Sequence, residues 1–220
     1  MEDQSVSHIT RIKGELVTAL SVLTCVRRID SFGSVAVGRA DQWSDLDLLV
    51  SCEHVERTAW LAAAAIRSAK RVPFFRAFTG VAQPSGRYWF DDESPFHRLD
   101  VSFYSPAEHA VVCRSGVHSG HPVMVKPEYV AHRPVDPAAD ARLLSPANRV
   151  DVTPRERYIG RLLYVHLEPA KDRMRGWPAE RNILETRAEL LDAASSTLTM
   201  HRHKGLMGFL ASVVALGCHS

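Results

Sequence analysis

This chain has few features that declare a class outright. Its four cysteines, Cys25, Cys52, Cys113 and Cys218, are widely spaced and form no CxxC pair. A disulfide framework is therefore disfavoured, and buried free thiols in a reducing cytoplasm are expected. Charge is nearly balanced, with 27 Lys+Arg against 25 Asp+Glu and a net charge of +2, too little to point to a nucleic-acid or membrane partner. Long hydrophobic runs are missing. The longest apolar stretch, from Leu206 to Leu216, is about half of the roughly 20 residues that cross a bilayer. The N-terminus Met1-Glu2-Asp3-Gln4 is acidic and polar, unlike a secretory leader, so the expected location is the cytoplasm. There is no internal repeat and no low-complexity segment. The histidine pairs His118/His121 and His201/His203 lack the cysteine or HExxH context of a transition-metal site and read as solvated.

What is present is an ordinary globular composition, 45% hydrophobic and 24% charged, over a length of 220 residues that suits one large domain or two small ones. Residues 5 to about 27 carry Ile9, Ile12, Leu16, Leu20 and Leu23 at helical spacing, with Ser5 or Ser7 as cap and Arg27 and Arg28 at the C-terminal end. Residues 30–37 read as a short strand breaking at Gly33-Ser34, which would present that turn at a sheet edge. Residues 45–51 read as a strand, 54–70 as a helix and 73–78 as a strand, with a loop over 80–86. A hairpin is expected next: Arg87–Phe90 runs out, residues 91–95 turn, and residues 97–104 return. Residues 107–130 allow a short helix near Val111 and a strand near Val123.

Four prolines (Pro134, Pro137, Pro146, Pro154) then punctuate residues 133–154, which read as a linker. Thr153-Pro154-Arg155-Glu156 has the form of a helix start, and helices are expected over about 153–169, 178–199 and 204–216, with Pro169 limiting or kinking the first. The helix at 204–216 is apolar nearly all round, so it would be buried within the chain or against a second copy, making a homodimer. The expected organisation is α+β: a mixed sheet with flanking helices over residues 1–132, a proline-rich linker over 133–152, and a small helical domain over 153–220.

The chemistry concentrates in Phe32 to Val50. A Gly33-Ser34 turn is followed by Asp45-Leu46-Asp47 on a strand. Strand residues two apart share a face, so Asp45 and Asp47 should project together while Leu46, Leu48 and Val50 enter the core. Two adjacent carboxylates repel unless a cation lies between them. Hard divalent cations such as Mg²⁺ take oxygen ligands, often one or two carboxylates plus substrate phosphates. A third acid, Asp100, stands mid-strand between apolar neighbours, where acids are uncommon. Its neighbours Leu99, Val101 and Phe103 share the opposite face.

Gly33-Ser34, ten intervening residues, Asp45-Leu46-Asp47, and Asp100 on a later strand together resemble the nucleotidyltransferase superfamily of the DNA polymerase β type, above all its small antibiotic (aminoglycoside and lincosamide) members. The resemblance covers residues 5 to 105. It implies that Asp45, Asp47 and Asp100 hold one or two Mg²⁺ ions, and that Asp100 binds the second ion or serves as base on the acceptor. It also implies that Gly33, Ser34, Arg39 and Ser44 contact the triphosphate of an NTP, ATP being the expected one. The implied reaction moves a nucleoside monophosphate to a hydroxyl of a small molecule, such as an aminoglycoside or lincosamide, and releases pyrophosphate. The alternatives are a minimal nucleotidyltransferase that modifies protein or tRNA, as in toxin–antitoxin pairs, and a non-catalytic nucleotide-binding module. The near-neutral charge disfavours a nucleic-acid acceptor.

Overall fold

The computed structural model describes residues 4–70, 72, 74–78, 84–90, 93–94, 96–114, 121–126 and 167–176. The described part is α+β, a mixed sheet flanked by helices. Helix α1 (Gln4–Ser21) leads into strand β1 (Val26–Phe32), and a single helical turn, α2 (Gly33–Ala36), follows directly. Strand β2 (Leu46–Cys52), helix α3 (Val55–Ala69) and strands β3 (Phe74–Phe78), β4 (Ser85–Trp89) and β5 (Leu99–Tyr104) come next. Helix α4 (Pro106–Arg114) and strand β6 (His121–Val125) complete the labelled elements. The sheet order is β3-β4-β5-β2-β1-β6. Strand β1 is antiparallel to both β2 and β6, whereas β2 and β5 run parallel.

By contacts the chain divides into two compact units. One comprises Met1–Arg71, Ala77–Arg87 and Leu99–Asp151, and the other Val72–Arg76, Tyr88–Arg98 and Val152–Ser220. The core of the first unit follows from the alternation of its strands. Leu46, Leu48 and Val50 on β2 and Leu99, Val101 and Phe103 on β5 are fully buried, while Asp47, Asp100 and Ser102 between them are only half-buried. Helices α1 and α3 pack together, with Ile9, Ile12, Leu16 and Leu20 from α1 and Leu61 and Ile66 from α3 buried. Burying one such aliphatic side chain contributes about 1.5–3 kcal/mol, so this layer fixes which face of the sheet is left for polar groups. Leu49 and Ser51, further along β2 on the polar side, are also buried, since α4 packs on β2 and β5 there. On this face Asp47, near the start of β2, stays accessible, as do Asp100, Ser102 and Tyr104 along β5.

In the second unit Tyr88, Trp89, Phe90 and Phe96 are buried. The buried Arg98 donates from Nη1 to Glu168 Oε1 at 2.6 Å, tying that strand-return segment to helical residues 167–174. Pro169 lies within that helix and does not end it. Gly176, at φ +73°, follows the helix, with its N–H donating to the Arg173 carbonyl, a left-handed C-terminal cap that needs glycine.

Several sequence expectations are corrected. Helix α1 begins at Gln4, so Ser5 and Ser7 are inside it, not capping it, and it stops at Ser21, six residues short of Arg27. Arg27 and Arg28 belong to β1, because Val22-Leu23-Thr24-Cys25-Val26 is rich in β-branched residues that favour a pleated strand over a helix. The strand expected over 30–37 therefore starts at Val26 and ends at Phe32. Gly33 at φ +69° breaks it and turns the chain into α2. Since β1 lies between β2 and β6, the Gly-Ser turn leaves the end of an interior strand, not a sheet edge. Ser85 and Gly86, expected in a loop, start β4.

The hairpin stands. Phe103 N–H bonds the Pro84 carbonyl at 3.0 Å while Asp100 meets Arg87, so one strand advances as the other retreats. Ser105-Pro106-Ala107-Glu108 starts α4, with the Ser105 N–H and hydroxyl both donating to Glu108 Oε2. Those bonds hold the exposed Glu108 carboxyl below the usual carboxylate range. Cys25, Cys52 and Cys113 are free thiols, and burial pushes the Cys52 thiol up to about 12. The linker over 133–152 and the helices expected over 178–199 and 204–216 lie outside the described residues, as do Cys218 and residues 153–166 of the first expected helix. Among the described residues, no helix is long and apolar enough to cross a membrane.

Candidate functional site

The three carboxylates converge. Parallel pairing of β2 with β5 sets Asp47 beside Asp100, and antiparallel pairing of β1 with β2 sets Asp47 beside Phe32. Asp45 stands two residues before Asp47, at the entry to β2. One carboxylate oxygen from each of Asp45, Asp47 and Asp100 lies within 4.8 Å of the others, and all three residues are half-buried. Two unit charges at that separation repel by a few kcal/mol where the effective dielectric is about 20. Arg87, on β4, offsets part of this: its Nε donates to Asp100 Oδ2 at 2.8 Å.

The remaining donors are oxygens only, at a half-open strand end. That set suits a hard divalent cation such as Mg²⁺, which takes carboxylate oxygens and keeps other positions for water or phosphate. Asp45, Asp47 and Asp100 are the residues that would hold such an ion.

Gly33 makes this convergence sterically feasible. A Cβ built on it would stand 2.6 Å from Asp47 Oδ2, closer than real Cβ contacts come. The missing side chain is therefore the space that the Asp47 carboxylate occupies. Gly38 also has a positive φ, +68°, yet a Cβ there would meet nothing within 4 Å. Its glycine serves the turn alone.

The loop between α2 and β2 is braced from within. Ser34 Oγ donates to Ser44 Oγ at 3.0 Å, tying the Gly-Ser turn to the residue before Asp45. Ser44 is fully buried. Its hydroxyl donates to Asp41 Oδ1 at 2.8 Å and accepts the Asp41 N–H at 2.9 Å, while Asp41 Oδ1 also accepts the Trp43 N–H at 3.0 Å. Such aspartate-to-backbone bonding two residues on is a turn device. Ser44 thus acts as a strut inside the loop. Arg39 is exposed, and its backbone N–H donates to the Ser34 carbonyl at 2.9 Å.

Ser44→Ala is expected to cost about 1–3 kcal/mol, because it leaves the hydrogen-bonding groups of half-buried Asp41 and Ser34 without the Ser44 hydroxyl. Thermal unfolding measures this. An unchanged melting temperature would show that water replaces the hydroxyl without loss.

Two residues of this region were not singled out from sequence. Arg87 was legible in principle, since the hairpin places it opposite Asp100, and a cation across from a mid-strand acid is a cross-strand pair. Asp41 carried the weaker signal of an acid inside a polar turn.

No family model matches the chain, and no curated protein matches it.

Proposed function

We propose that this protein is a nucleotidyltransferase of the DNA polymerase β type, moving a nucleoside monophosphate, AMP from ATP, to a hydroxyl of a small molecule. The observation that carries this reading is the convergence of Asp45, Asp47 and Asp100 beside a glycine whose missing side chain makes room for them. In this reading Asp45 and Asp47 hold Mg²⁺, and Asp100 either contributes to a second ion or accepts the acceptor's proton. The bound cation supplies charge neutralisation on the phosphate oxygens.

The chain's own groups then position the reactants. In this reading the Gly33-Ser34 turn would grip the outer phosphates, the Ser34 hydroxyl exchanging its bond to Ser44 for one to a phosphate oxygen, and Arg39 would supply a cation for another. The acceptor oxygen forms a bond to the α-phosphorus as the bond to pyrophosphate breaks, and its proton passes to a carboxylate or to water. Phosphoryl chemistry of this kind needs mostly positioning and charge stabilisation, so a sparse set of residues suffices. In this reading the use of ATP and Mg²⁺ goes with a cytoplasmic location. A small cationic or polyhydroxyl antibiotic of the aminoglycoside or lincosamide kind is the proposed acceptor class.

The test is a screen of such acceptors against the four NTPs, read as pyrophosphate release and as mass gain of the acceptor. Release with one acceptor and Mg²⁺ supports the proposal. A labelled macromolecule in lysate, with no small-molecule product, moves the acceptor to protein or tRNA. No release from any pair, together with no Mg²⁺-dependent NTP binding by calorimetry, overturns the enzymatic reading.

A further inference from the structure

A second convergence of ligating groups lies elsewhere in the first unit, on β1 and α4. Asp30, in the interior strand β1, is fully buried. His109 and Cys113 stand four residues apart on α4, the spacing that puts two side chains on one helix face. His109 Nε2 is 2.8 Å from Asp30 Oδ2. Cys113 Sγ is 3.8 Å from His109 Nδ1 and 3.9 Å from Nε2. One ligand atom from each of the three residues lies within 4.8 Å of the others. We propose that Asp30, His109 and Cys113 form a second metal site, for a borderline cation of the zinc type, distinct from the three-aspartate cluster.

The donor set argues the class. One oxygen, one nitrogen and one sulfur are a poor set for Mg²⁺ or Ca²⁺, which ask for oxygens, and a suitable one for zinc. Zinc bonds of about 2.0–2.3 Å in tetrahedral geometry place neighbouring ligand atoms about 3.3–3.7 Å apart. The sulfur–nitrogen distances are already close to that range, and the Nε2–Oδ2 pair would open by roughly half an ångström.

Arg28 is compatible with this use. It grips the Asp30 carboxylate through Nε to Oδ2 at 2.8 Å and Nη2 to Oδ1 at 2.7 Å. A carboxylate offers about four lone-pair sites; Arg28 takes two on Oδ1, since its Nε also reaches that oxygen at 3.1 Å, and one on Oδ2. His109 takes a second on Oδ2, and the cation would stand where that hydrogen bond now runs. Outer partners of this kind are what orient metal-binding carboxylates.

Binding balances with the loss of one proton. The Cys113 thiol gives up its hydrogen to solvent, and neutral His109 carries its remaining hydrogen on Nδ1 and ligates through Nε2. Asp30 binds as carboxylate, and water takes the fourth position on the half-exposed Cys113 side. A Cys-His-Asp nucleophile is the other chemistry such a trio suggests. The near-equal distances from sulfur to both ring nitrogens argue against it, because a thiol–imidazole pair needs the sulfur aligned with one nitrogen.

The experiment uses the full chain, stripped with chelator and then titrated with Zn²⁺ in excess Mg²⁺, and in parallel with Co²⁺. One equivalent of Zn²⁺ should bind calorimetrically, and Co²⁺ should give a thiolate charge-transfer band in the near ultraviolet. Cys113→Ala, a change at a half-exposed position that leaves the Arg28–Asp30 pair alone, should remove the band and weaken Zn²⁺ binding at least about 100-fold. Asp47→Asn should leave both signals intact. The same Zn²⁺ affinity in Cys113→Ala, or no cobalt–thiolate band in the folded wild type, would overturn the proposal and leave Arg28, Asp30 and His109 as a polar clamp between strand and helix.

Discussion

Asp47→Ala is expected to abolish Mg²⁺-dependent pyrophosphate release, by at least about 10³-fold, without unfolding the protein. Asp47 is the central member of its cluster, in register with Asp100 on β5 and set against Gly33 at the end of β1. Removing it takes away the carboxylate that joins the other two. The fold should tolerate the change, since Asp47 lies on the half-buried polar face and its removal relieves like-charge repulsion. Without metal, the variant should melt at or above the wild-type temperature. With Mg²⁺ at about 100 times its dissociation constant, wild type should gain about 2.7 kcal/mol by linkage and the variant nothing. Activity and metal-dependent melting are thus read on the same samples. Wild-type turnover in purified Asp47→Ala would remove the carboxylate cluster from the mechanism.

The second large effect is expected at Gly33. Gly33→Ala meets two penalties at one atom: a left-handed backbone at φ +69°, which costs a non-glycine residue about 1–2 kcal/mol, and a Cβ 2.6 Å from Asp47 Oδ2. The carboxylate must move to admit the methyl group. A displacement near 1 Å at a reacting site can cost about 10²-fold in rate. Gly38→Ala is the matched control. It carries the same backbone penalty at φ +68° with open space around its Cβ. Gly33→Ala should therefore lose more stability than Gly38→Ala, and only Gly33→Ala should lose turnover by about 10²-fold. Equal turnover in the two would mean that the approach of Gly33 to Asp47 is irrelevant to catalysis.

Much of this was legible from residue pattern. The alternation Asp-Leu-Asp-Leu and Leu-Asp-Val-Ser-Phe states which side chains enter the core, and the structure places Asp47 and Asp100 on the common polar face. Helix α3 and the hairpin were read within a residue or two because both have clear periods and stops. The start of β1 was missed, since Leu20 and Leu23 continue a helical spacing past Ser21 while β-branched residues already favour a strand. Local pattern cannot weigh the two, and the pairing of β1 with β2 and β6 decides it. The Asp30–His109–Cys113 cluster left no sequence signal. Its members are 79 and 4 positions apart, and only the packing of α4 on the sheet brings them together.

The parallel pairing of β2 with β5 has one further consequence, for which changes of chain length the protein can absorb. The two strands meet by register, not by a tight turn, and the crossover between Cys52 and Leu99 runs through α3, β3 and β4. Loop closure depends only weakly on loop length, so that crossover can gain or lose residues in its connecting loops at a cost of tenths of a kcal/mol. Inside the strands the tolerance vanishes. Side chains alternate with a period of two, so one residue inserted just before Asp47 or Asp100 turns a carboxylate toward the apolar layer and an aliphatic side chain toward the site. Homologous chains should therefore differ freely in length between these strands and hardly at all within them.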